Sequence, residues 1–395
     1  MLSKFLGEKI NNTTGISNAL RKLGYEVIDI VPDVKQLQLK WADEKGCKID
    51  SKNWYLDALK YQITSERPEV VFFQHGIPFS SNYLREIRAR NSFVKLVIVH
   101  TGYLGSVDQM DGVDVVFCAT PSLVKRYCKL GLKSQLLYHY FDTDLIGMLP
   151  DHNQEFVFTF LGASGYGTGF AHADRYWILR KLLEETCLEE WLWEGTGEKL
   201  NKKFKGYIWD TLKGIFKKFP VKVLEGLRIT RNIKLDRLLD QVIYENLAQQ
   251  KKLRLPDQSL LSLFPLKVHP PLSGLDYLRT IKSSRISFHS KGVSLVNNWE
   301  VESGDIGAVR LFEVTGLGSC LLCDSGKNMR DLFDEGEEIV VYHDSVDAVK
   351  KAKYLIENPK IAEKIALAGK IRTLNNHTAS NRAPIIHEWI KRNVK

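Results

Sequence analysis

The sequence has no apolar run approaching the roughly 18 residues that cross a bilayer. Its opening stretch, "MLSKFLGEKINNTTG", has neither the long apolar centre nor the small-residue cleavage site of a secretory signal. A cytoplasmic protein is expected. Cysteine is scarce: the residues at 47, 118, 128, 187, 320 and 323 are too scattered for a disulfide framework or a metal cluster. Cys320 and Cys323 form a C-x-x-C, but within "SCLLCD" they fall on a predicted strand, where positions three apart point to opposite faces. Both read as small buried hydrophobes. Repeats and low-complexity tracts are also missing, which sets aside solenoids and compositionally disordered chains.

Acidic residues are in deficit, 47 Asp and Glu against 56 Lys and Arg, but the deficit is local. Between Glu198 and Arg254 there are 15 Lys and Arg against 6 Asp and Glu, an excess equal to the whole formal charge of +9. Such a stretch can meet nucleic acid, anionic lipid or an acidic substrate. It lacks the interleaved stacking aromatics and recognised modules of a nucleic-acid binder, so no nucleic-acid partner is expected. In "YIWDTLKGIFKKF", Trp209, Leu212 and Phe216 recur at helical spacing with Lys213, Lys217 and Lys218 on other faces. Two readings stand: a helix lying on an anionic membrane surface, engaged through residues 199–254, or an amphipathic helix packed on its own domain.

What is present suits two compact α/β units, since 395 residues exceed what one core ordinarily supports. "TGISNALRKLGYEVIDIV" reads as an amphipathic helix ending at Gly24 and followed by a strand; a strand before it is either the short "LSKFL" or absent. "WYLDALKYQITSERPEVVFFQHG", "YLREIRARNSFVKLVIVHTG" and "GVDVVFCATPSLVKRYCKLG" continue the alternation of helices with short apolar strands that marks a parallel, doubly wound sheet. After the linker-like "YFDTDLIGMLPDHNQ" the plan restarts: strand "EFVFTFLGA", a glycine-rich turn, helix "HADRYWILRKLLEET", and from 285 strands and helices in regular turn. The expected domains are 1–147, then 148–378 carrying a basic helical insertion at about 198–260, then a C-terminal helix at 379–395 that crosses back to the first domain.

Two such domains leave a cleft lined by the carboxyl ends of their strands, where ligands of doubly wound folds bind. Gly304 and Asp305 precede a helix expected over about 305–315, and Gly307 lies in its first turn, so free N–H groups there can hold an anion such as a diphosphate. Arg310 and Glu313 share a face of that helix. The arginine can add a bidentate phosphate contact and the carboxylate can accept the hydroxyls of a ribose; equally, the two can form a plain ion pair. Gly316 and Gly318 end the helix and permit close ligand approach.

The turn "GASGYGTGF", with Gly162 and Gly167, has no lysine of a P-loop and reads as a ligand loop or a plain turn. His172 and Arg175 behind it can touch phosphate or stand solvated. His75 and His100 both end predicted strands, where a histidine can work on substrate or satisfy a loop carbonyl. The D-x-D at 142–144 sits in the linker and reads as turn caps rather than a metal site.

Taken together, "GLDYLRTIKSSRISFHSKG", "RLFEVTGLGSCLLCDSGKNMRDLFDEGEEIVVYHDSVDAVKKAKYLIENP", "IALAGKIRTLNNHT" and Arg382 resemble the C-terminal half of group 1 glycosyltransferases, in particular the spore-maturation-type branch. The resemblance covers about residues 270–382, with an echo in "ERPEVVFF" and "FCATPSLVKRYCKLG". It implies a GT-B fold, with the C-terminal domain binding a nucleotide sugar and the N-terminal domain holding the acceptor. Asp305 and Glu313 match the two acidic positions that flank the donor, on its sugar side and at its ribose, and His100 lies where relatives place a histidine near the donor sugar. His289-Ser290-Lys291 stands where many members read N-x-H, and Ala308 where an asparagine is common. The expected activity is sugar transfer from a nucleotide-diphosphate donor to a glycan or lipid-linked acceptor, with no cofactor or metal. His100 and Asp305 are the catalytic candidates, and Gly162, Arg175, His289, Gly307, Arg310, Glu313, Gly316 and Gly318 the donor-binding ones. A non-catalytic glycan-binding or scaffold protein and a nucleotide-sugar epimerase are the alternatives.

Overall fold

The computed structural model describes residues 14–50, 52–74, 81–103, 110–150, 154–167, 172–194, 213–220, 254–291 and 304–394, together with 223, 224, 239, 242, 243 and 246. The chain divides into two units: residues 1–119, 123–148 and 377–395 in the first, 120–122 and 149–376 in the second. Among the described residues no helix is long and apolar enough to cross a membrane.

The first unit runs α1 (Gly15–Lys22), α2 (Lys35–Glu44), α3 (Trp54–Glu66), β1 (Val70–Phe73), α4 (Ser81–Arg90), β2 (Leu96–Thr101), β3 (Val115–Cys118), α5 (Pro121–Lys129), β4 (Ser134–Leu136) and α6 (Asp144–Met148). Among the described residues four strands form a parallel sheet in the order β1-β2-β3-β4. The β2 residues "LVIVHT" are buried throughout, as expected of a strand covered on both faces, whereas β1 is only half-buried. The last helix of the chain, α14 (Ala379–Asn393), belongs to this unit. Its Ala379, Ala383, Ile386 and Ile390 close a core with Ile16, Leu20, Leu96, Ile98, Val115 and Phe117.

The strand expected after Gly24 does not form. Residues 25–31 are neither helix nor strand, and Tyr25 and Val27 pack on the core, but side chains take two of the carbonyls a ladder would use: Arg21 Nη2 donates to Val27 O (2.7 Å) and Gln38 Nε2 to Val31 O (2.7 Å). The candidate strand "LSKFL" and His75 lie outside the described residues.

The second unit contains β5 (Phe156–Ala163), α7 (Ala173–Glu185), β6 (Glu189–Trp193), α8 (Leu260–Leu263), β7 (Val268–His269), α9 (Gly274–Lys282), β8 (Ser284–His289), α10 (Val309–Leu317), β9 (Cys320–Asp324), α11 (Met329–Leu332), β10 (Val340–Tyr342), α12 (Ser345–Glu357) and α13 (Pro359–Asn376). Among the described residues its six strands are parallel, in the order β10-β9-β8-β5-β6-β7. The chain winds one way from β5 to β7 and the other way from β8 to β10, so the direction reverses between β5 and β8, where doubly wound sheets bind ligands. The core is aromatic and aliphatic: Phe158, Phe160 and Phe288 of the sheet are fully or almost fully buried against Tyr176 and Leu179 of α7 and Ala348 and Ala352 of α12.

Helix α10 starts later than its sequence suggests. Residues 304–308 are held off the helix by the segment after β9: Asn328 Oδ1 accepts the Ile306 N–H and Nδ2 donates to Ile306 O, both at 2.8 Å, and Lys327 N–H donates to Gly304 O (2.8 Å). Gly307 therefore precedes the helix instead of lying in its first turn, and Ala308 is the N-cap. At the other end Gly318 is left-handed (φ 89°), with bonds from Gly318 N–H to Thr315 O and from Ser319 N–H to Val314 O.

Candidate functional site

The hydrogen-bond ladder between β5 and β8 ends at Thr159 opposite Ser287, while β5 runs on to Ala163 and β8 to His289. Beyond that point two arginines take the carbonyls that the parting strands leave. Arg310, in the first turn of α10, which follows β8, donates from Nη1 to Leu161 O of β5. Arg175, in the first turn of α7, which follows β5, donates from Nη1 to Ala163 O (3.1 Å) and from Nε and Nη2 to Ser290 O just past β8 (3.1 and 2.7 Å). Each guanidinium thus reaches back from a helix start across the point where the sheet changes direction. Burial, then the neighbouring Arg310, lowers Arg175 to about 10, which leaves it charged at neutral pH. It is not the solvated helix residue that the sequence also allowed.

His289 ends β8 between these cations. It is 7% exposed, and its Nε2 has no hydrogen-bond partner. Burial first, then Arg310, Arg175 and Lys291, holds its pKa well below the usual histidine range, so the ring is neutral. Lys291 donates its N–H to both oxygens of Asp324 at the end of β9 (2.9 and 3.1 Å). Burial raises that carboxyl to about 6 against the pull of Lys291. His172, the N-cap of α7, is left-handed (φ 62°), has an unpartnered Nδ1 and is lowered to about 4 by burial and then by Arg175. Gly165 (φ 95°) makes this loop possible, because a Cβ there would fall on the carbonyl oxygen of His172. Arg175, Arg310 and Lys291 and two neutral imidazoles with unused nitrogens thus gather around the ends of β5 and β8, a set of groups suited to a polyanion.

Glu313 lies one turn along α10 from Arg310 and is buried. Its Oε2 accepts the Tyr277 hydroxyl of α9 at 2.8 Å and stands 3.6 Å from Arg310 Nε. The Arg310 guanidinium lies 4.8 Å from the centre of the Tyr277 ring, within cation–π range. Burial raises the Glu313 carboxyl, and Arg310 and Tyr277 pull it back down. The intrahelical pair left open by the sequence is present, but buried rather than spread on a solvated face.

Asp305 lies in the stretch ahead of α10, and its Oδ2 accepts the N–H of Ser122 (2.8 Å), a residue that groups with the second unit. Gly162 sits in β5 at φ 154°, between the two carbonyls that the arginines hold. Gly316 is buried inside α10, and a Cβ at Gly318 would meet Lys370 of α13. Both therefore belong to the end of the helix that leads into β9, because the helix reverses the chain direction between β8 and β9. In the first unit, His100 is buried and its Nε2 is bonded to Leu137 O (2.9 Å), the loop-carbonyl role that the sequence left open. Asp142 Oδ1 accepts the Asp144 N–H (3.1 Å), a turn cap. Sequence reasoning passed over Tyr277, Asp324, Asn328 and Gly165. Three of these act through partners distant in the chain, so spacing carried no signal; Gly165 was readable only as part of a glycine-rich turn.

Residues 247–388 match the family described as glycosyl transferase-like. No curated protein matches the sequence. Among solved structures, the HepE protein of Anabaena in complex with UDP superposes with a TM-score of 0.50 at 10% identity, covering 90% of this chain and 89% of that one. A glycosyltransferase from Rickettsia africae gives 0.47 at 10% identity (90% and 88% covered), and sucrose-phosphate synthase from Thermosynechococcus elongatus 0.48 at 9% (88% and 80%). The chain accordingly has the mixed α/β GT-B fold with parallel sheets, and its residues 247–388 carry the likeness to group 1 glycosyltransferases that its motifs display.

Proposed function

We propose that the protein is a glycosyltransferase of the hexosyltransferase type that moves a sugar from a nucleoside-diphosphate donor to a glycan or lipid-linked acceptor, as in surface polysaccharide synthesis. The observation that carries this reading is the pair of guanidiniums, Arg175 and Arg310, fixed at the switch point of the second unit around a buried, neutral His289 with a free Nε2. A diphosphate would find there charge, helix starts and preset geometry, so the ordering of flexible side chains costs little on binding. Glu313 would take the ribose hydroxyls and Asp305 would stand on the sugar side. The UDP found on HepE supports a nucleotide as the ligand. With this much positive charge available to the leaving diphosphate, transfer without a metal and with retention of configuration fits the site, the diphosphate itself assisting deprotonation of the acceptor.

Contact with an anionic bilayer suits a lipid-linked acceptor, and the insertion presents exposed Ile215 and Phe219 beside Lys213, Lys217 and Lys218. Trp209 and Leu212 lie outside the described residues. A non-catalytic glycan-binding role is the second reading, favoured by His289-Ser290-Lys291 in place of N-x-H.

The test is a panel of UDP-, GDP- and ADP-sugars with the purified protein. One nucleoside diphosphate is expected to raise the melting temperature, and the corresponding donor to release nucleoside diphosphate slowly by hydrolysis and faster with acceptor. Stabilisation without turnover selects the second reading. The absence of stabilisation by any of them defeats both the donor site and the activity.

A further inference from the structure

We infer that Tyr277 is a positioning residue for the donor's ribose: its hydroxyl ties down Oε2 of Glu313 and leaves Oε1 to receive the sugar hydroxyls. The inference rests on the donor-site reading above and adds a residue and a division of labour to it.

Three contacts join Tyr277, Glu313 and Arg310. Tyr277 Oη donates to Glu313 Oε2 at 2.8 Å, Arg310 Nε approaches the same oxygen to 3.6 Å without a hydrogen bond, and the Arg310 guanidinium lies against the Tyr277 ring. Glu313 Oε1 has no hydrogen-bond partner among the described residues. A carboxylate held by one oxygen cannot swing about its terminal torsion, a broad and otherwise soft rotation. The free oxygen, with two lone pairs, is then oriented to accept both hydroxyls of a vicinal diol. Tyr277 comes from α9, ahead of β8, and Glu313 from α10, after it, so the contact also fixes α10 laterally at the turn where Arg310 sits.

The hydroxyl has an electrostatic role as well. Burial pushes the Glu313 carboxyl up, and the Tyr277 bond is one of two influences that hold it down, Arg310 being the other. His289 on β8 stands beyond Arg310 and is neutral, and Lys370 of α13 lies at the far end of the helix beside Gly318. Removing the hydroxyl therefore leaves Arg310 alone to keep the carboxyl charged, and affinity that depends on the carboxylate should fail at a higher pH as the solution is acidified.

The experiment uses Tyr277→Phe, which keeps the ring under Arg310, and measures Kd by calorimetry for UDP, GDP and ADP and for their 2′-deoxy forms between pH 5 and 8.5. In the wild type the nucleotide that binds should lose about tenfold or more on removal of the 2′-hydroxyl. In Tyr277→Phe affinity for the ribonucleotide should fall about tenfold, discrimination against the deoxy form should shrink to roughly threefold or less, and the acid-side loss of binding should move upward. In a Glu313→Gln background the same change should add little, because the two residues act through one contact. If Tyr277→Phe keeps the wild-type affinity, discrimination and pH profile, or if its effect is undiminished in Glu313→Gln, the inference is overturned while the donor site stands. Wild-type protein that binds none of the three nucleotides overturns the donor-site reading and this inference with it.

Discussion

Glu190 sits on β6 with no exposed surface and no hydrogen bond to either carboxyl oxygen. Its pKa is raised well above the usual carboxylate value by burial and then by Glu194, so the native protein holds a proton there that the unfolded chain releases above about pH 4.5. The contribution of Glu190 is therefore most favourable below that pH and declines as pH rises toward its native-state pKa. Glu190→Leu, close in volume and apolar, should stabilise the protein by about 1–3 kcal/mol at pH 8, the scale of an unpaired buried polar group, and by less at pH 5. Thermal melts of both proteins at the two pH values check this; an equal gain at both would show that repacking, not the proton, is responsible. At this scale the sequence displayed the residues without their partners. Arg310 and Glu313 were readable as a charged pair near a helix start, yet the tyrosine that fixes the carboxylate is 36 positions away, and no periodicity connects them. Gly318 illustrates the reverse: a glycine in a recognisable motif that serves the helix end.

At the scale of elements, periodicity located most of the strands and helices because parallel strands covered on both faces read as uninterrupted apolar runs. It failed where side chains replaced backbone partners. The stretch 25–31 alternates like a strand but spends its carbonyls on Arg21 and Gln38, and 304–308 lies before a helix whose first turn Asn328 refuses it. The turn after β5 rests on Gly165, whose left-handed φ and lack of a Cβ let the His172 carbonyl approach. Gly165→Ala should cost about 1–3 kcal/mol of stability through this strain and weaken nucleoside diphosphate binding as well, because the same turn delivers the Ala163 carbonyl and the start of α7 to Arg175. Melting curves and calorimetry on one preparation measure both effects; loss of stability alone would confine the glycine to a scaffolding role.

At the scale of the whole molecule, the positive charge is collected in the insertion, where Leu224, Leu239, Val242 and Ile243, with Phe216 against them, form a small cluster of their own. The core of the second unit includes none of these five. Deleting 200–250 should therefore leave melting behaviour nearly intact while abolishing flotation with liposomes that contain anionic lipid, and added salt should weaken flotation of the full chain. Equal flotation of both forms would rule out a membrane role for the insertion. The sequence shows a linker after 140 and a restart of the strand pattern, and the chain passes from the first unit to the second between residues 148 and 149. The return of α14 to the first unit has a consequence in time. During synthesis residues 149–376 are complete before α14 exists, so the second unit can close while the first still lacks Ala383, Ile386 and Ile390 from its core. The part of the protein that is translated first is thus the part whose core receives its last residues only after the second unit has been made.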